Sequence, residues 1–172
     1  MVILGDKIKT ADQIQSSITR IAYQIYENNI NENELVIVGI APRGSELAKA
    51  LKNALESFSN LKIIYGVLDI NKENPRDSLE CDLLLSQIEN KSIVIVDDVL
   101  NTGNTLIYAV KYFLTISVKQ IKTAVMVNRN HKKLRKIFMS ATTKELKNCK
   151  EKKEGARYPT VNSIHTAFHE YS

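Results

Sequence analysis

The sequence has little of what marks exported, membrane-bound or modular proteins. Only two cysteines occur in 172 residues, Cys81 and Cys149, far apart and outside any CxxC pattern. A disulfide framework is therefore not expected, and reduced thiols are. No apolar run approaches the roughly 20 residues of a membrane span, and the apolar stretch in the N-terminal MVILGDK is too short for a signal core. There is no internal repeat. These absences predict a soluble, cytoplasmic protein with no membrane partner. At 172 residues and 44% hydrophobic composition, the chain can bury one core and not two.

Charge is present but unevenly spread. The formal net charge is +5, yet residues 132–153 carry nine Lys or Arg against two Glu, a local balance of +7 that leaves −2 for the rest. The basic character thus belongs to one segment, either a solvated surface or a contact for a polyanion.

Apolar spacing sets out an α/β chain. In residues 11–29, Ile14, Ile18, Ile21, Ala22, Ile25 and Tyr26 recur at threes and fours, which predicts a helix with one apolar stripe. Leu35 to Ala41 is a short continuous apolar run, the pattern of a strand buried on both faces. Pro42 to Ser45 breaks it, and Glu46 to Phe58 resumes a helical period. Further strands are predicted at Leu61 to Leu68, Ser92 to Val96 and Ile121 to Val127, with a helix from Asn104 to Thr115. Between them, Asp69 to Asp82 reads as a long polar loop of the kind that covers a binding site. Strands alternating with helices predict a three-layer, doubly wound, mostly parallel sheet. Beyond about residue 131 the periodicity fades, with at most a short strand at Ile137 to Met139, which predicts an atypical, poorly ordered or unusually packed C-terminal segment.

The densest chemistry lies in Ile93 to Thr105, IVIVDDVLNTGNT. A central parallel strand ending at Val96 delivers Asp97 and Asp98 to the sheet edge where open α/β sheets bind ligands. The turn Asn101 to Thr105 then enters a helix, so its N–H groups and hydroxyls suit a phosphate, and Gly103 allows close approach. Two carboxylates beside a phosphate are tolerable if they accept hydrogen bonds from hydroxyls or face a cation such as Mg²⁺. A sugar 5-phosphate satisfies both demands: its diol meets the aspartates and its phosphate meets the turn.

At these residues the chain resembles the type I phosphoribosyltransferases, whose signature for 5-phosphoribosyl-1-pyrophosphate (PRPP) has this layout; Asn101 is the departure. The resemblance implies that Asp97 and Asp98 hold the ribose hydroxyls while Thr102, Gly103, Asn104 and Thr105 hold the 5-phosphate. It also implies a Mg²⁺ cofactor reached by the two aspartates through ribose oxygens or water. GIAPRGSELAKAL resembles the family's pyrophosphate loop, with Arg43 and Gly44 supplying charge and N–H groups. Together with SSITRIAYQIYENN and AVMVNRNHK, the order and spacing over residues 14–133 are most like the pyrimidine-operon attenuator proteins that are also uracil phosphoribosyltransferases.

That branch implies transfer of the phosphoribosyl group from PRPP to a nucleobase, uracil first, with release of pyrophosphate. Arg43, Asp97 and Asp98 are then catalytic, and Asn128 and Arg129 stand on the base side; Arg76 in the 69–82 loop either reaches the phosphates or is an ordinary solvated loop arginine. Residues 1–133 are expected to form the transferase core, and 134–172 an atypical basic segment that is either part of the same domain or poorly ordered. A homodimer or higher homo-oligomer is expected. Relatives more often carry Asp and Gly at the positions of Asn128 and Asn130, and a following Asp-aromatic-Val-Gly strand; here LRKIFMSATTKELKNCKEKKEGARYP stands instead. Two alternatives stay open: a PRPP- or nucleotide-sensing RNA-binding regulator contacting RNA through Thr19, Arg20 and residues 132–153, and a purine phosphoribosyltransferase. His165 and His169, four residues apart, with Cys149 lack a further ligand, so no structural metal is expected.

Overall fold

A computed structural model describes residues 10–71, 79–128 and 141–142. The first helix, α1 (Ala11–Glu27), starts where Thr10 closes a capping box: its hydroxyl accepts from the Gln13 N–H, and the Gln13 side chain accepts from the Thr10 N–H at 2.9 Å. The chain continues through β1 (Glu34–Ile40), α2 (Arg43–Phe58), β2 (Lys62–Ile70), β3 (Leu79–Cys81) and α3 (Leu85–Ile88). It ends in β4 (Ser92–Leu100), α4 (Asn104–Phe113), β5 (Gln120–Asn128) and β6 (Ala141–Thr142). The strands form one sheet in the order β3-β2-β1-β4-β5-β6, parallel across the four central strands and antiparallel at both edges.

Strand pleating explains the three layers. Leu35 and Ile37 of β1 face a core built with Ile18, Ala22 and Ile25 of α1 and Leu47, Leu51 and Leu55 of α2. Val36, Val38 and Ile40 face the other core, with Leu106, Ala109 and Phe113 of α4 and Ile88 of α3. Because both faces are covered, the central strands read as unbroken apolar runs rather than alternating ones. The predicted three-layer, mostly parallel α/β fold is the fold observed. Among the described residues no helix is long and apolar enough to cross a membrane.

Three elements differ from the sequence expectation. The polar stretch 69–82 is not one loop: Asp69 and Ile70 extend β2, and Leu79–Cys81 return antiparallel beside them, pairing Ile70 with Leu79 and Leu68 with Cys81. Leu79 and Cys81 pack onto the α4-side core, a two-residue alternation too short to stand out among Asn, Pro and Asp. Helix α2 starts at Arg43 rather than Glu46, so the Arg-Gly-Ser break is the first helical turn. Strand β4 continues past Val96 to Leu100, pairing with β5 as far as Leu100 and Asn128. The expected strand at 137–139 lies outside the described residues, as do the character of the tail, His131, His165, His169 and Cys149.

The end of the sheet where the parallel strands begin is tied by polar groups. Glu34 at the start of β1 accepts from Lys62 of β2 at 2.6 Å and from Lys91, just before β4, at 2.7 Å. The Gln120 amide bridges Asn29 and Ser92 at 2.8 and 3.1 Å, and the buried Lys122 ammonium donates to the Asn28 carbonyl at 2.8 Å. Burial holds the Lys122 pKa below the ordinary lysine value, opposed by the nearby Glu32 carboxylate. Hydrogen bonds from Lys62, then Lys91, hold the Glu34 carboxyl down at about 2, from an ordinary 4.5. A carboxylate depressed in the folded state contributes stability that is complete above its unfolded value and is lost as pH falls through the folded one. Urea midpoints measured from pH 5 to pH 2 are therefore expected to fall less steeply in Glu34→Gln than in the unmodified protein; identical slopes would remove Glu34 as a source of the acid limb.

Candidate functional site

Helix α2 carries β1 to β2 and helix α4 carries β4 to β5, on opposite faces of the sheet. The chain thus leaves the adjacent strands β1 and β4 in opposite directions, which opens a crevice at their C-terminal ends, the position where doubly wound sheets take ligands. A cavity of about 360 Å³ lies there, lined by Pro42 and Arg43 after β1, Asp97 and Asp98 on β4, and Thr102, Gly103 and Thr105 at the start of α4, with apolar Leu100 and Leu106 behind them.

Each wall has a local cause. On the β1 side the Ala41–Pro42 peptide is cis, and the Ala41 N–H stays bound to the Leu68 carbonyl at 3.0 Å. Helix α2 then begins so close to β4 that a Cβ on Gly44 would lie 2.6 Å from the Val96 carbonyl oxygen and 3.0 Å from the Asp97 Cα. Only glycine permits that approach. On the β4 side, Asp97 is 5% exposed and its Oδ1 accepts from the Asp98 N–H at 3.0 Å. The Asp98 carboxylate, 25% exposed, lies 3.7 Å from Nη1 of Arg43, whose side chain is 77% exposed. One acid is therefore fixed and buried, while the other faces the cavity and a movable cation.

The third wall is the turn. Gly103 has φ +80, a left-handed conformation that suits glycine, and its carbonyl accepts the first helical bond from Ile107 at 3.0 Å. The Asn104 N–H leans on the Thr102 hydroxyl at 3.4 Å, and the ten-residue helix α4 starts at the cavity, so its positive end lies there. A helix-start turn of this kind suits an anion, and paired carboxylates suit hydroxyl donors or a cation.

Of the residues singled out from sequence, Arg43, Asp97, Asp98, Thr102, Gly103 and Thr105 line one cavity, and Gly44 packs directly beneath it. Asn104 is exposed at the first position of α4 and is not part of the lining. Asn128 ends β5, two strands from β1, while Arg129 and Arg76 lie outside the described residues. Thr19 and Arg20 sit apart, with Asp12, Ser16 and Tyr23 in a shallow depression on the outer face of α1. Sequence reading missed Pro42, Val99, Leu100 and Leu106 as lining; the signal for Val99 and Leu100 was the continuation of β4, hidden by the acids that interrupt its apolar run.

The phosphoribosyl transferase domain model matches residues 5–159 of the sequence. The chain belongs to the phosphoribosyl transferase family. Curated relatives include the bifunctional protein PyrR of Macrococcus caseolyticus, 34% identical over 140 residues covering 77% of this chain and 78% of that protein. Another, the PyrR of Limosilactobacillus fermentum, is 31% identical with 98% and 93% covered. Among solved structures, the hypoxanthine phosphoribosyltransferase of Trypanosoma cruzi bound to its product IMP aligns with TM-score 0.66 at 20% identity, covering 80% of this chain and 70% of that one. A hypoxanthine-guanine phosphoribosyltransferase of Bacillus anthracis aligns with TM-score 0.65 at 16% identity, covering 78% and 77%. These two share the fold.

In this phosphoribosyltransferase the family reaction is a pentosyl transfer, and the family generally uses Mg²⁺ with PRPP. The glycine beneath the cavity is sensitive to substitution. Gly44→Ala is expected to cost about 1–3 kcal/mol, since the added methyl meets backbone on β4 rather than a side chain that can turn away. Thermal melts check this; an unchanged Tm would mean the helix can retreat from β4 freely.

Proposed function

We propose that this protein transfers the 5-phosphoribosyl group of PRPP to uracil and releases pyrophosphate, acting as a cytoplasmic enzyme. The observation that carries this reading is the convergence, in one cavity, of two strand-end carboxylates, a helix-start phosphate turn and an Arg-Gly turn. Asp97 and Asp98 accept hydrogen bonds from the ribose hydroxyls, and Thr102 to Thr105 donate to the 5-phosphate. Arg43 and the Gly44 amide face the pyrophosphate. A nitrogen of the base bonds to C1 of the ribose as the C1–O bond to pyrophosphate breaks, and the oxygen leaves with the electron pair. Arg43 and the turn amides stabilise the charge that gathers on that oxygen. The base nitrogen gives up its proton to complete the exchange.

The donor set fits Mg²⁺. It consists of hard carboxylate oxygens, and among the described residues no group of three or more His, Cys, Asp or Glu could form a protein cage. A cation held by Asp97 or Asp98, through ribose or water, would take its remaining oxygens from the substrate, as Mg²⁺ commonly does. When bound, it supplies Lewis-acid stabilisation of the departing pyrophosphate.

On this reading residues 1–133 carry the transferase core and 134–172 a basic extension of it. Asn128 and Arg129 stand on the base side. A homodimer or higher homo-oligomer is the proposed assembly.

The test is to incubate the protein with PRPP, Mg²⁺ and each of uracil, hypoxanthine, guanine, xanthine, adenine and orotate. Uridine monophosphate from uracil is expected, at a rate lowered about 100-fold or more in Asp98→Asn. A purine nucleotide as the main product moves the assignment to the purine enzymes, and PRPP binding without product from any base moves it to a sensor.

A second reading is favoured by the relatives and by α1. A pyrimidine operon regulatory protein of Lactococcus lactis is 35% identical over 127 residues. The α1 depression presents Arg20 beside the half-exposed Tyr23 ring, a cation and an aromatic surface suited to RNA phosphate and base. RNA regulation alongside catalysis predicts binding to a pyrimidine-operon leader RNA that weakens steeply with salt and is reduced in Arg20→Ala. Gel-shift titrations at two salt concentrations check this, and no complex at low salt removes the reading.

A further inference from the structure

Tyr65 lies on β2, paired with Ile37 of β1, and is absent from the lining of the cavity. Its ring packs against the core beneath α1 and α2, and its hydroxyl donates to the Ser45 carbonyl at 3.1 Å. Ser45 is the third residue of α2, directly after Arg43 and Gly44. The Ser45 hydroxyl is itself turned back to the Pro42 carbonyl at 2.6 Å, so the turn closes on itself.

This first turn of α2 is thus gripped from two strands. On one side Gly44 lies against Val96 and Asp97 of β4; on the other, the Tyr65 phenol reaches it from β2. Phenylalanine would fill the same apolar space, so packing does not call for the hydroxyl. Burial, then the nearby Asp82 carboxylate, push the phenol pKa up, which keeps the donor protonated. Asp82 is held there by its own bond, accepting from the Val67 N–H at 2.7 Å.

We propose that Tyr65 is a positioning residue for pyrophosphate, its hydroxyl fixing the first turn of α2 so that Arg43 stays opposite Asp98 and Gly44 stays against Asp97. The inference rests on the reading that this turn holds the diphosphate. It assigns Tyr65 a role in one half of the substrate only: the 5-phosphate turn at α4 belongs to another element and is not touched by it.

The experiment uses the full chain and calorimetric titration with two probes, magnesium pyrophosphate and ribose 5-phosphate, on the unmodified protein, Tyr65→Phe and Arg43→Ala. Tyr65→Phe is expected to bind pyrophosphate about fivefold more weakly, the worth of one hydrogen bond, with ribose 5-phosphate affinity changed by less than about twofold. If Arg43→Ala loses pyrophosphate binding while Tyr65→Phe keeps it in full, the diphosphate reading stands and the role of Tyr65 is overturned. If Arg43→Ala binds pyrophosphate as well as the unmodified protein, the reading of the turn fails and the inference fails with it. Equal losses for both probes in Tyr65→Phe, accompanied by a lower Tm, assign the hydroxyl to general stability and also overturn it.

Discussion

Everything at the ligand end of this molecule depends on how closely helix α2 can approach strand β4. Two backbones meet at Gly44 and Val96 at a distance that leaves no room for a Cβ. That contact sets the width of the crevice between β1 and β4. It brings Arg43, a residue from the β1 side, to 3.7 Å from Asp98, a residue from the β4 side. A helix held one side chain farther out would still cover the core, but its first amides would no longer share a cavity with the acids. The same logic applies to the far wall, where the left-handed Gly103 turns the chain from β4 into α4 within a few residues of Asp98. The site is made by backbone proximity first and by side chains second.

The electrostatic problem of the site follows from that closeness. Asp97 and Asp98 are adjacent in sequence and emerge at a helix N-terminus that favours anions, so a phosphate would be repelled by its neighbours if charge alone decided. The structure separates the roles by exposure. Asp97 is buried and commits an oxygen to the Asp98 N–H, while Asp98 turns toward Arg43 at the cavity mouth. A ribose diol placed over the acids and a phosphate placed over the turn avoid the conflict. Arg43 is largely exposed and only loosely paired with Asp98, whereas Asp97 is buried.

The parts legible in the sequence were those written in a continuous local pattern. The buried runs of β1, β4 and β5 and the threonine-glycine turn could be read because each is contiguous and both faces of the sheet are covered, which removes ambiguity about polarity. The hairpin strand β3 could not, because three residues with one outward Glu80 carry too little alternation to compete with the turn-forming residues before them. The start of α2 was hidden for a related reason: Pro42 and Gly44 read as breakers, whereas the proline stands at the helix cap and the glycine is required by β4. The reach of Tyr65 to Ser45 crosses twenty residues and two elements, so no local pattern contains it. The family model extends to residue 159, beyond the point where periodicity fades. Motif and sheet pattern therefore stop short of where family similarity stops.

The two ends of the sheet divide the work between them. Where the parallel strands begin, charges are satisfied locally: Glu34 takes both Lys62 and Lys91, Glu32 takes Lys119, and the Lys122 ammonium donates to a backbone carbonyl. Polar groups committed to one another in this way hold strand register and offer little to a ligand. Where the strands end, charged groups meet across a cavity at longer distance, 3.7 Å between Arg43 and Asp98 against 2.6–2.7 Å at the other end. Parallel topology makes this division natural, because every strand in the central four delivers its C-terminal residues to the same edge and its N-terminal residues to the other. One edge can then be tied down by ion pairs while the opposite edge keeps its acids, its arginine and its helix-start amides available for substrate, without either set of charges having to compromise with the other.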